Sequence, residues 1–130
     1  MLGHIVWTRC RVLGLAGEAT TYPWLDKFAG GARQSEGSDY PTLRELGAAY
    51  SEVSEAMNRR LEGLSDAVLL EAVDDVPGEQ EPTLRGVLTF WVWQDCYHLG
   101  QVGSILTTLG LTDFEALHYR RKQRLTSEPA

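Results

Sequence analysis

The stretch from Pro82 to Gly110 constrains this chain most, because nothing inside it breaks a helix of about seven turns. Pro82 or Thr83 suits the first turn, and Gly110 suits the left-handed position just past the last. The inward stripe reads Leu84, Val87, Trp91, Gln94, His98, Val102, Ile105 and Leu109, apolar at both ends and polar in the middle. So long a helix needs packing partners, and the rest of the chain supplies helical ones. Residues 2–16 are dense in apolar side chains and end before Gly17. Ile5, Val12, Leu15 and Ala16 cluster on one side of that wheel, while Val6, Cys10 and Leu13 cover much of the other, so this helix wants neighbours on both sides.

Residues 17–41 read as a long connection with a short packed turn around Trp24, Leu25 and Phe28. Thr42-Leu43-Arg44-Glu45 has the form of a capping box. It opens a helix with a narrow seam of Leu43, Leu46, Tyr50, Val53 and Met57 and a charged outer face. Ser65 caps a shorter helix running to about Val73, and 74–82 is an acidic break. A second capping box at Thr112 to Glu115 leads Phe114, Leu117 and Tyr119 into a short tail helix. These signals predict an all-α protein with one domain over 1–130, its core at 2–112 and a tail at 113–130.

At 130 residues and 43% hydrophobic, the chain can fold without disulfide or metal staples. Cys10 and Cys96 read as free thiols in a reducing, cytoplasmic setting. Arg9 and Arg11 interrupt the only run resembling a signal peptide, and no stretch approaches a membrane helix. A net charge of -6 argues against a general binder of nucleic acid or anionic membrane. The charge is uneven: Arg120, Arg121, Lys122 and Arg124 make a basic tail end that an acidic partner could meet, whereas 36–81 is strongly acidic. The glycines form no phosphate-binding loop, and no nucleophile elbow is present.

Chemistry therefore concentrates in the polar centre of the last helix. Gln94 and His98 lie four apart, so both leave one helix face about a turn apart, a spacing used by paired metal ligands. An amide oxygen is a weak ligand for zinc- or nickel-like ions, and His4 is the natural second imidazole. For either histidine alone, the simpler reading is a partly buried ring with a hydrogen-bonded partner. Asp95 is turned about 100° from Gln94, at a position for orienting a ligand, and Cys96 falls off the ligand face altogether. Trp7, Trp91 and Trp93 are near enough in sequence to wall a pocket, although aromatic residues on bundle helices more often fill a core.

Gln94-Asp95-Cys96-Tyr97-His98-Leu99-Gly100-Gln101, followed by Leu109-Gly110-Leu111, resembles the closing motif of the DinB/YfiT-like superfamily. Its members carry HxxxH, a small residue and Gln on the last bundle helix. Gly3-His4-Ile5, with Leu13-Gly14 a helix length later, is similar to the family's other ligand segment, and the order of helices agrees. The resemblance covers most of residues 2–112. It implies an antiparallel four-helix-bundle type with a divalent metal, zinc or nickel, between helices. It also implies relatives that transfer low-molecular-weight thiols or isomerise thiol-linked substrates. By motif position, His4 and His98 match two of three metal-binding histidines, and Gln94 occupies the third.

Members also have a whole helix before the segment matched by Met1 to Gly14, which this sequence lacks. The resulting expectation is an open apolar flank, including Val6, Cys10 and Leu13, covered by a second copy in a homodimer. The crossover at Trp24 to Phe28, or the tail, is the alternative cover. The functional expectation is a divalent-metal protein acting on a small molecule by thiol transfer or hydrolysis. Its rival is a metal-free bundle that binds a small molecule or acts through its dimer surface, so enzyme status stays open at this point.

Overall fold

The computed structural model describes residues 1–33, 37–74 and 81–111. The second capping box, the tail helix and the basic tail end expected from the sequence lie outside these residues. The described residues form four α-helices, α1 (Leu2–Leu15), α2 (Leu43–Glu62), α3 (Asp66–Leu69) and α4 (Leu84–Thr108), with short 3-10 turns at Leu25–Phe28 and Gly37–Asp39. Among the described residues the only β feature is an isolated bridge between Ala72 and Thr83. The fold class is all-α, as the helical signals predict. The chain divides into two compact units, Met1–Asp95 and Cys96–Ala130.

In the first unit, α1 and α2 pack through the seam the sequence predicts. Val6, Cys10 and Leu13 of α1 meet Ala49, Val53, Ala56 and Met57 of α2 in a buried cluster that also takes in Leu25 and Val87. Each fully buried Leu, Val or Met contributes about 1.5–3 kcal/mol relative to exposure, so this cluster holds the unit together. The flank expected to be open is therefore closed: Val6, Cys10 and Leu13 are all buried. The reason is that α2 occupies this side, with Leu25 of the Leu25–Phe28 turn joining the same cluster. Leu43 departs from the predicted seam and is 77% exposed, because it stands in the first turn of α2, beyond the end of the packed seam.

The helix ends follow from local chemistry. Thr42 Oγ1 accepts from Glu45 N–H while the Glu45 carboxylate accepts from Thr42 N–H at 2.7 Å, completing the capping box. Beyond α1, Gly17 takes φ 88°, letting Glu18 N–H reach Leu13 O at 2.9 Å and Gly17 N–H reach Gly14 O at 3.1 Å. Arg60 Nε of α2 donates to the Ala16 carbonyl at 2.5 Å, covering another open acceptor at that end. Ser65 caps α3 through Val68 N–H, but that helix stops at Leu69, short of Val73.

Gly3 has a specific task. A Cβ there would lie 2.5 Å from ring atoms of Phe28, so the absent side chain lets that ring lie against α1. In the second unit, α4 ends as expected: Gly110 takes φ 64° and Leu111 N–H donates to Leu106 O at 3.0 Å. Ile105 and Leu109, predicted to face inward, are exposed. No helix among the described residues is long and apolar enough to cross a membrane.

Candidate functional site

His4 sits in the first turn of α1, where the Phe28 ring against Gly3 brings the Phe28 carbonyl to its side chain. The imidazole Nδ1 lies 2.8 Å from Phe28 O. A carbonyl only accepts, so Nδ1 carries the proton and donates. That leaves His4 Nε2 as an acceptor, and Gln94 Nε2 of α4 donates to it at 2.9 Å. The ring also stacks on Trp7, centroid to centroid 5.4 Å at 20°.

The polarity of this pair has a further consequence. Flipping the Gln94 amide would set its oxygen against the His4 lone pair, so Oε1 must point away from His4. There it is buried without a hydrogen-bond partner among the described residues. A buried acceptor in this state costs about 1–3 kcal/mol.

Beside the pair opens a cavity of about 300 Å³, within the range of small-molecule sites. Trp7, Phe90 and Trp91 give it aromatic walls, His4 and Gln94 supply polar groups, and Arg11, whose guanidinium lies 5.0 Å from the Trp7 ring centroid, is a charged member of its lining. Trp7 and Trp91 pack against the buried cluster, the reading the sequence favours for aromatic residues on bundle helices, and also line this cavity, while Trp93 is absent from the lining and 59% exposed. Phe90 was not anticipated; it lies four residues before Gln94, on the same side of the helix, and that spacing could have found it.

A second polar contact joins α1 to α4. Arg9 Nη2 and Asp95 Oδ2 are 2.6 Å apart, with both side chains mostly buried. Arg9 Nη1 donates to Ser54 Oγ, which donates to the Tyr50 carbonyl. The guanidinium lies 4.4 Å from the Tyr50 ring centroid and 5.4 Å from that of Trp91. Asp95 is thus engaged by Arg9, a partner that sequence spacing gave no means of choosing. Arg9 and Trp91 also border a second cavity of about 230 Å³, with Ser54 and Asn58.

In the second unit, His98 Nδ1 lies 2.9 Å from Gln101 Oε1. Cys96 is exposed. Cys10, in the first unit, is buried, and its thiol is pushed up to about 11 by burial, with the Glu52 carboxylate adding to the effect. Among the described residues no three His, Cys, Asp or Glu side chains are grouped as a metal site.

Fold and site together define an all-α protein with a histidine–amide pair beside an aromatic cavity. The family comparison is consistent with that description: the DinB superfamily model matches residues 1–102, and the chain belongs to that superfamily. No curated protein and no solved structure matches it.

Proposed function

We propose that this DinB superfamily member binds a small molecule with an apolar, aromatic-compatible body in the cavity beside His4 and Gln94. The observation that carries this reading is the cavity itself: about 300 Å³, walled by Trp7, Phe90 and Trp91, with the polar side chains of His4 and Gln94 in its lining. Aromatic walls supply most of the affinity for such a ligand, and a few polar groups set its orientation. Gly30 lies at the cavity and has room for a side chain, since a Cβ there meets only Trp7 at 3.9 Å. Fragment screening by ligand-observed NMR should give hits with the wild-type chain that Gly30→Leu abolishes while thermal unfolding stays close to wild type. Hits insensitive to Gly30→Leu would place binding elsewhere and end this reading.

A second reading is favoured by the His4 tautomer. His4 donates Nδ1–H to the Phe28 carbonyl, an outer hydrogen bond of the kind that orients metal-ligating histidines, and an ion at its Nε2 would replace the bond from Gln94. By their match to the family's motif positions, His4, Gln94 and His98 are the residues that would hold a divalent ion of the zinc or nickel type. When bound, such an ion supplies Lewis-acid activation of a water or thiol, suited to thiol transfer or hydrolysis on a small molecule. Elemental analysis of untagged protein tests this: near-stoichiometric metal that disappears in His98→Ala supports it. Protein that stays metal-free after incubation with zinc, nickel or manganese leaves the metal-independent reading.

A further inference from the structure

Four residues of the cavity lining, His4, Trp7, Thr8 and Arg11, recur at three- and four-residue spacing on one face of α1. Side chains on a helix lean toward its N-terminus, so the long Arg11 side chain reaches back over the turn that carries Trp7. The guanidinium accordingly lies 5.0 Å from the centroid of the Trp7 ring, which stacks in turn on His4. Arg11 is exposed, so a solute entering the cavity from water can reach it. The neighbouring polar groups are engaged within the protein: Thr8 Oγ1 donates to the His4 carbonyl at 3.0 Å, and the two His4 nitrogens bond Phe28 O and Gln94 Nε2. Among the described residues the lining includes no Asp or Glu, and Arg11 is its one permanently charged group. In a chain of net charge -6, this cavity therefore presents a positive edge beside aromatic walls.

We propose that the small molecule bound here is an aromatic monocarboxylate. Its ring lies among Trp7, Phe90 and Trp91, and its carboxylate accepts from the Arg11 guanidinium on the solvent side of the cavity. The inference rests on the small-molecule reading above and adds the ligand's charge and chemical class. It follows from the chemistry of the lining. A cationic ligand would meet Arg11 as a like charge, and a neutral one would leave the guanidinium to water. A planar carboxylate matches the five-donor fork, and an arginine already placed beside Trp7 loses less freedom on binding than one in open solvent. An anion held at an exposed group also keeps part of its hydration, so the apolar walls need not desolvate a charge.

The test titrates the full chain by calorimetry, at low ionic strength and neutral pH, with three probes of one carbon skeleton: cinnamate, cinnamamide and cinnamylamine. The wild type should bind cinnamate about five- to tenfold tighter than cinnamamide, between the effect of an exposed ion pair and that of a buried charge-assisted bond. It should bind cinnamylamine most weakly, and added salt should narrow the gaps. Arg11→Met keeps an unbranched apolar stem beside Trp7; it should bring cinnamate down to the affinity of cinnamamide and leave cinnamamide within about twofold. Arg11→Lys should restore part of the preference. Both variants should unfold close to the wild-type temperature, since the position is exposed. Equal wild-type affinity for cinnamate and cinnamamide overturns the carboxylate assignment and leaves the cavity reading standing. A cinnamate preference that survives Arg11→Met overturns it as well, because the anion is then held elsewhere. Failure of all three probes to bind, or binding untouched by Gly30→Leu, overturns the cavity reading itself.

Discussion

Arg9–Asp95 and His4–Gln94 both join α1 to α4 within Met1–Asp95, at neighbouring positions on each helix, yet they do different work. The charged pair is the more fully engaged: Ser54 accepts from the guanidinium, Tyr50 lies beneath it, and Asp95 neutralises it, leaving its Nε without a partner among the described residues although Arg9 too borders a cavity. The neutral pair faces a cavity and leaves Gln94 Oε1 unpartnered. A polar contact whose capacity is mostly consumed inside the protein acts as structure. One with capacity left over, next to empty space, is where a ligand can act.

This contrast predicts opposite responses to mutation. The largest effect should come from Arg9→Met, which strands the Asp95 carboxylate in a mostly buried site and should destabilise the protein by about 3–5 kcal/mol in urea titrations. Adding Asp95→Leu should recover most of that loss, because removing both charges leaves no unpaired ion. A single-variant cost below about 1 kcal/mol would mean the pair is as dispensable as a surface bridge, and the contrast would fail. At the neutral pair, Gln94→Met should change stability by only about 1 kcal/mol, since it removes one hydrogen bond and one unsatisfied acceptor together. Its loss should appear in ligand binding instead. If Gln94→Met cost as much stability as Arg9→Met, both contacts would be structural.

Much of the fold was legible because local chemistry determined it. Thr42 and Glu45, Gly17, Ser65 and Gly110 each mark a helix end with the hydrogen bonds their residue types predict. The seam of Val53 and Met57 followed from helical periodicity. What could not be read was which long-range neighbour covers which face. The two-sided apolar pattern of α1 said that two covers were needed without saying that α2 would take Val6, Cys10 and Leu13. The site was half legible for the same reason. His4 and Gln94 stood out as polar groups on apolar helices, whereas Phe28 O, the group that fixes the tautomer, is a backbone atom and leaves no trace in residue type. Arg9–Asp95 spans 86 residues, a separation at which spacing carries no information.

Two changes sharpen the comparison further. Gln94→His replaces the weak amide ligand with an imidazole, so zinc or nickel retained after dialysis should rise relative to wild type if His4 and His98 are ligands. No increase would count against the metal reading while leaving the cavity reading untouched. The thiols offer an independent check on burial. Cys10, held protonated to about 11, should resist iodoacetamide near pH 8 in the folded chain, whereas exposed Cys96 should be alkylated; peptide mass spectrometry separates them. Equal labelling would show that the α1–α2 core opens readily, and the closed environment assigned to Arg9 beside it would need revision.

The smallest expected effect supplies the control. Thr42 and Glu45 form a polar contact far from either pair in role: it closes a helix end in water and touches no cavity-lining residue. Thr42→Ala should cost about 1 kcal/mol of stability and leave ligand affinity unchanged. Bonds from the Thr42 hydroxyl and N–H hold the Glu45 carboxyl below the usual glutamate range. A carboxyl lowered on folding contributes stability that is fully present above its unfolded value and lost as pH falls through the lowered one. The wild-type advantage over Thr42→Ala should therefore persist at neutral pH and shrink in acid below the ordinary glutamate range. An advantage independent of pH would mean that the hydroxyl's bond to Glu45 N–H is the whole cap. A change in ligand affinity would mean that α2's first turn reaches the site, and the separation between structural and ligand-facing contacts would have to be redrawn.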